Sequence, residues 1–365
     1  MKTELVRVDL GERGYDVLVW TGLLDRIDEV LDAGRWARAL VVSDLEVGPL
    51  YGARVLAGLE RLGVEAELLA IEPGEGSKSL EELGRILDGM AGFRLTRSDL
   101  VLALGGGVVG DLAGFAASTF KRGLDLVQAP TTLMSQVDSA IGGKTAVNLA
   151  SGKNLAGTFH QPVKVVCDVV ALSTLPAREL AGGLAEVVKY SLIDPEIVLD
   201  DETAASLQAL EPDDLVSTVA ACARAKARVV AEDEMDRGGV RAVLNYGHTL
   251  GHALETATGY GGTYTHGEAV SVGMVFAAMV AERLGMGAGG LASRHRRSLA
   301  RFGLPVAPPE PRPPFEELLE VMLQDKKSAG DLTMVLLEEE GSPSLRRCID
   351  PGVLRDCYER MGETE

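Results

Sequence analysis

Two histidines, His248 and His252, stand four residues apart in the stretch Asn245-Tyr246-Gly247-His248-Thr249-Leu250-Gly251-His252-Ala253-Leu254-Glu255. On a helix that spacing puts both imidazoles on one face, with Cβ atoms about 5–6 Å apart, so both can reach one pocket. A zinc-protease helix shares the spacing but places glutamate after its first histidine, where this chain has Thr249. His266, in Tyr264-Thr265-His266-Gly267-Glu268, opens the next helical run. A catalytic zinc needs three N or O donors and an open position, and a carboxylate such as Glu186 can be the third. A hydrogen-bonded core residue is the plainer role for any one histidine, and spacing does not say which two ligate. Gly247 and Gly251 precede the pair, and each costs a helix about 1 kcal/mol relative to alanine. Something must therefore approach that backbone closely.

A second concentration lies at 136–162, a polar loop with two Gly-Lys pairs, Gly143-Lys144 and Gly152-Lys153, beside Asp138 and Asn154. Glycine N–H donors and two ammonium groups suit an oxygen-rich anion, although either lysine alone reads as a solvated loop residue. Upstream, the run 99–107 is a buried strand leading into a glycine turn, Gly105-Gly106-Gly107 with Gly110, and a helix start. Such a turn aims free N–H groups at a phosphate, and dinucleotide pyrophosphate is the obvious guest. Its spacing departs from the dinucleotide fingerprint, so a tight packing turn is the alternative. Asp44 ends an earlier strand, where a carboxylate can hold a ribose hydroxyl.

The elements that must position these groups alternate. The runs 38–44, 66–71, 99–107 and 125–132 are apolar on both sides, and helical spacing over 79–92 separates them, which predicts a parallel α/β sheet. Beyond 172–193 the pattern is almost wholly helical, with 213–234 and 267–285 the longest periodic stretches. The expected architecture is an α/β, Rossmann-like parallel-sheet domain over residues 1–174 and a mostly helical domain over 175–365. A length of 365 residues with 46% hydrophobic content suits two cores. No apolar run is long enough to span a membrane and the start alternates like a strand pair, so a soluble cytoplasmic protein is expected. The four cysteines form no CxxC pair and read as reduced structural thiols. A net charge of −18 argues against nucleic acid, yet a few convergent cations can still bind one small anion.

Taken together, the segments 75–79, 102–118, 127–162, 175–190, 241–255, 266–270 and 325–330 resemble the 3-dehydroquinate synthase family, in order along the chain. The resemblance implies an NAD- and zinc-dependent sugar-phosphate cyclase, with cobalt a possible substitute. It implies a metal held by Glu186, His248 and His266, with His252 left to substrate and proton transfer. NAD is expected on Asp44, Glu75, Lys78, Gly106, Gly107, Asp111, Thr131 and Thr132, with Lys153 and Thr174 nearby. Substrate is expected on Asp138, Lys144, Asn154, Lys189, Lys226, Arg241, Asn245 and Lys326 or Lys327. Arg122 is similar to the family's arginine that reaches a neighbouring subunit, which implies a homodimer. In the implied reaction, transient oxidation of the C5 hydroxyl of 3-deoxy-D-arabino-heptulosonate 7-phosphate acidifies the C6 proton. Phosphate then leaves, the hydride returns, the ring opens and an aldol step closes the carbocycle. Tyr246, where leucine or phenylalanine is common, and the segment 42–47 depart from the pattern. The rivals are a sister sugar-phosphate cyclase, a metal-dependent polyol dehydrogenase releasing NADH, and a non-catalytic nucleotide-binding protein.

Overall fold

The computed structural model describes residues 2–259, 263–286, 289–308, 310–324 and 332–362. The chain opens with β1 (Thr3–Val8), β2 (Tyr15–Trp20), β3 (Arg38–Asp44), α1 (Ala53–Arg61), β4 (Glu65–Ile71) and α2 (Leu80–Gly92). It continues with β5 (Leu100–Gly105), α3 (Gly107–Thr119), β6 (Asp125–Pro130), β7 (Lys144–Leu149), β8 (Gly152–Phe159) and β9 (Lys164–Asp168). Then come α4 (Ala177–Ile193), α5 (Asp201–Gln208), α6 (Pro212–Glu232), α7 (His248–Ala257), α8 (His266–Arg283), α9 (Leu291–Ala300) and α10 (Phe315–Gln324). A hairpin of β10 (Thr333–Leu337) and β11 (Pro343–Arg347) precedes α11 (Pro351–Arg360). Among the described residues, no helix is long and apolar enough to cross a membrane.

Two compact units divide the chain: Met1–Leu175 with Leu210–Met235, and Pro176–Ala209 with Asp236–Glu365. The first is built on a seven-stranded sheet in the order β1-β2-β9-β6-β5-β3-β4. Every neighbouring pair is parallel except the edge pair β1–β2. Both faces are covered, and β5 shows why its sequence is continuously apolar. Leu100, Leu102 and Leu104 join a core with α1 and β2, while Val101 and Ala103 join another with α2 and α3. The parallel α/β expectation therefore holds, with one antiparallel strand at its edge.

Three features differ from the sequence reading. A single division at 174/175 puts 175–365 in one helical domain, but α6 belongs to the first unit. Its buried stripe, including Leu215, Val216 and Val219, packs against β1 and β2. Helical periodicity announces a buried face without naming its partner. The polar stretch 136–162 is not a loop throughout, because β7 and β8 pair antiparallel across it. In β7 three consecutive residues, Thr145, Ala146 and Val147, are buried beside α3 while Lys144 and Leu149 at the ends are exposed, so the usual period-two alternation is missing. The second unit also carries a β10–β11 hairpin whose first strand is buried from Met334 to Leu337. A continuous apolar run that short cannot be told from a helix segment by periodicity.

Candidate metal centre and anion site

In the second unit, three helices carry the three donors, and glycines let those helices meet. A Cβ on Gly267, beside His266, would lie 2.2 Å from the Gly182 carbonyl oxygen, one turn before Glu186. A Cβ on Gly273 would lie 1.8 Å from the Gly247 carbonyl oxygen, beside His248. Gly247 has φ +82°, and its Cβ would meet Met274 N and Val270 O at 2.9 Å. The partner that the glycines of the histidine helix require is thus α8 itself. Backbone-to-backbone crossings of α4 and α7 on α8 bring residues 186, 248 and 266 together. The start of α8 is fixed further by a Thr265–Glu268 capping box and by Arg178, which grips Glu268 at 2.8 and 2.7 Å.

One donor atom each from Glu186, His248 and His266 lies within 4.8 Å of the others. Nε2 of His248 and of His266 are 3.8 and 4.0 Å from Glu186 Oε1. That oxygen is buried and accepts no hydrogen bond among the described residues, while Oε2 faces the Lys189 ammonium. A buried carboxylate oxygen without a donor is costly, and a cation facing it removes the cost. Both histidines present Nε2 because Nδ1 is engaged. His248 Nδ1 donates to the Tyr246 carbonyl at 3.1 Å and His266 Nδ1 to Glu255 Oε2 at 3.0 Å. Burial, then the Lys189 charge and the neighbouring imidazoles, holds His248 well below the ordinary histidine range, so it is neutral and ready to ligate. Burial also pushes His266 down, but the hydrogen bond and charge of Glu255 and the charge of Glu186 outweigh it, and the net shift is upward. Metal binding therefore competes with protonation at His266 Nε2.

His252 is exposed, with its ring centroid 5.3 Å from that of His248 and 5.9 Å from that of His266, so the three imidazoles are grouped together. It belongs to a second group of possible donors with Glu255 and His266. The first group fits a metal better, since Glu255 Oε2 already accepts from His266 whereas Glu186 Oε1 has no such donor. Arg241 is buried in the same unit and Asn245 is exposed, while Lys326 and Lys327 lie outside the described residues. The Tyr246 departure concerns a side chain buried against His295, with its hydroxyl 2.8 Å from Nε2; only its carbonyl touches the centre.

In the first unit, Gly106 caps α3 without a side-chain partner, leaving the first-turn N–H groups of that helix open. A Cβ on Gly106 would press Thr132 and one on Gly107 would press Ser139, each at 3.0 Å, while the buried Thr131 Oγ1 makes no hydrogen bond among the described residues. Open N–H groups beside an orphaned hydroxyl fit a phosphate-bearing cofactor. Gly110 and Gly114 serve packing instead, against Gln128 and Thr145.

Nearby, the buried Lys78 pairs with Asp111 and donates to Asn154 Oδ1 at 2.5 Å. Burial pushes the Asp111 carboxyl up despite Lys78. Asn148 ties the patch together, donating from Nδ2 to Glu75 Oε1 at 2.7 Å and accepting from Asn154 N at 2.9 Å. Neither Asn148 nor Glu255 is a residue the sequence singles out for a role. Lys226 Nζ donates to the Asp138 carbonyl and carboxylate, both at 2.7 Å. Lys144 opens β7 and is exposed, and Lys153 follows the first residue of β8. Asp44 spends Oδ1 on the N–H groups of Glu46 and Val47, and the Thr174 hydroxyl lies 2.8 Å from that of Tyr51. Arg122 is exposed with φ +69°, in a turn where the Lys121 carbonyl accepts from Arg97.

This fold, with an anion turn in one unit and a three-donor cluster in the other, is shared with solved sugar-phosphate cyclases. A 2-deoxy-scyllo-inosose synthase solved with carbaglucose-6-phosphate, NAD+ and Co2+ superposes with TM-score 0.87 at 27% identity, over 98% of this chain and 100% of that one. A 2-epi-5-epi-valiolone synthase from Streptomyces hygroscopicus with NAD+ and Zn2+ bound gives 0.85 at 28% identity, over 96% of this chain and 97% of that one. Within that class the chain belongs to the 3-dehydroquinate synthase family. The family's N-terminal model matches residues 68–182 and its C-terminal model residues 183–328. A 3-dehydroquinate synthase from Caulobacter vibrioides is 45% identical over 96% of both chains.

Proposed function

We propose that the chain converts 3-deoxy-D-arabino-heptulosonate 7-phosphate to 3-dehydroquinate and phosphate. It does so as an NAD- and zinc-dependent carbon–oxygen lyase of the shikimate pathway, cytoplasmic and homodimeric. The observation that carries this reading is the contrast in identity, 45% to a 3-dehydroquinate synthase against 27 and 28% to the sister cyclases. The family models also cover both halves of the expected machinery.

Bound NAD supplies a reversible hydride acceptor, and the bound metal, zinc or cobalt, a Lewis acid for vicinal hydroxyls. The chain's own residues bind, orient and move protons. In the first unit the α3 N-terminus, Thr131, Thr132 and the Glu75–Lys78–Asp111 patch hold the dinucleotide, with Asp44, Lys153 and Thr174 beside them. Lys226, kept in place by Asp138, presents a fixed ammonium to the substrate, together with Lys144 and Asn154. In the second unit Glu186, His248 and His266 hold the metal. Lys189, Arg241 and Asn245 grip substrate oxygens, the guanidinium suiting a carboxylate through its planar fork. His252, free of the metal, moves the proton at an imidazole nitrogen. Fixed charges at preset positions turn a multistep sequence into one binding problem.

The protein with zinc and sub-stoichiometric NAD should release phosphate from the heptulosonate phosphate without accumulating NADH. Steady build-up of NADH would indicate a polyol dehydrogenase, and turnover of sedoheptulose 7-phosphate instead would indicate a sister cyclase.

Arg122 is proposed to act in the partner's site, and its exposed, left-handed turn suits a side chain directed outward. Arg122→Ala and His252→Ala homodimers should both be nearly inactive. An equilibrated equal mixture should recover about a quarter of wild-type activity, since half the dimers are mixed and one of their two sites is intact. No recovery, with mixed dimers shown to form, would place Arg122 in its own subunit's site.

A further inference from the structure

The metal's protein ligands do not account for Glu255, a carboxylate on α7 that is only 7% exposed. Three residues beyond His252, it lies on the helix face that carries both histidines. Its neighbours along the helix, Ala253 and Leu254, are buried apolar groups, so its charge needs a polar partner close by. Nδ1 of His266 lies 3.0 Å from Glu255 Oε2. His266 is the first residue of α8 and its side chain is 32% exposed, so helix packing alone leaves its ring orientation open. The other histidine of the cluster differs in this respect, being buried with its Nδ1 held by a main-chain carbonyl.

We propose that Glu255 is a positioning residue of the metal centre: its carboxylate holds the Nδ1–H of His266, which fixes the ring and makes Nε2 a stronger donor toward the metal. The proposal rests on the metal reading above and adds a residue to it. A carboxylate behind a ligating imidazole fixes the tautomer and raises ligand basicity, and losing such a partner typically weakens metal binding 10- to 100-fold. Main-chain support at His248 holds geometry only, so of the two histidine ligands it is His266 that has a carboxylate behind it.

The rival role for Glu255 is direct ligation, in the group it forms with His252 and His266. Counting bound metal separates the two. Full-length protein is titrated with zinc against a chelator, and the visible spectrum of the Co2+ form is recorded, for wild type, Glu255→Gln, Glu255→Leu and His248→Ala. The amide oxygen of Gln still accepts from Nδ1, so Glu255→Gln should keep the Co2+ spectrum near wild type and bind zinc only several-fold more weakly. Glu255→Leu should weaken zinc roughly 10- to 100-fold and shift the Co2+ bands, with unchanged metal-free unfolding and a stoichiometry of one. Wild-type affinity in Glu255→Leu, while His248→Ala loses zinc, would overturn the proposal and leave the metal reading intact. Retention of zinc by His248→Ala would overturn the metal reading itself. A second zinc bound by wild type and lost in Glu255→Leu would make Glu255 a ligand and also overturn the proposal.

Discussion

Replacing His248 by alanine should abolish retention of the metal, while replacing His252 should leave it bound. His248 is buried, and its Nε2 lies 3.8 Å from Oε1 of Glu186, the oxygen that does not face Lys189. With only Glu186 and His266 left, the site falls below the three protein donors of a catalytic zinc. Turnover should drop by roughly a thousandfold or more, because a Lewis acid worth several kcal/mol in the transition state is gone. His252→Ala should lose roughly 100- to 10,000-fold in rate with metal content near wild type, as expected when a proton-transfer group is removed. Metal analysis after desalting reads the first effect, and phosphate release at saturating zinc reads the second. The opposite pattern, metal lost with His252 and kept without His248, would move the centre to the His252–Glu255–His266 group. Loss in both variants would refute the division of labour between the two histidines.

The second large effect concerns no donor atom. Gly267→Ala should unfold more easily and bind zinc more weakly, although the substitution adds one methyl group. That methyl would lie 2.2 Å from the Gly182 carbonyl oxygen and 2.4 Å from its Cα, and neither is a side chain that can rotate away. The two helices must separate at their crossing, and an overpacked contact of this kind costs typically about 1–3 kcal/mol, more where backbone is struck. Because α4 carries Glu186 one turn beyond the crossing and α8 begins with His266, separation also spreads the donor set. Gly84→Ala is the control. It lies in α2 with open space around the added carbon, and there alanine should stabilise by about 0.5–1 kcal/mol. Urea unfolding and zinc competition on both variants check this. A Gly267→Ala protein with wild-type stability and affinity would mean that the crossing is not what sets the metal geometry.

Much of this was legible before any coordinates. The strands β3 and β6 begin where their apolar runs begin, and α2 starts just after Ser79, which caps it by accepting from Glu82 N at 3.1 Å. Local chemistry decides such features, through side-chain alternation, buried runs and capping hydroxyls. The spacing of His248 and His252 likewise fixed one shared face, and the glycines before them required a close neighbour. The sequence could not say that this neighbour is α8. Nor could it separate donors from bystanders, since only helix crossings at glycine bring the Nε2 atoms of His248 and His266 to 3.8 and 4.0 Å from Glu186 Oε1.

 Counted along the chain, Glu186 precedes His248 by 62 residues and His266 by 80, separations that carry no periodic signal.

Composition, alternation and capping act over a few residues, so the sequence by itself determined the class of fold, the strands and helices with a clear period, and the identity of most chemistry-bearing side chains. The choice of partner across long separations belongs to packing. Only the tertiary structure decided that α6 joins the sheet unit and that the polar stretch 136–162 pairs as a hairpin. The same holds for Glu255 standing behind His266. In each case the deciding energy is that of buried surfaces and polar groups meeting one particular neighbour, which no short window of sequence contains.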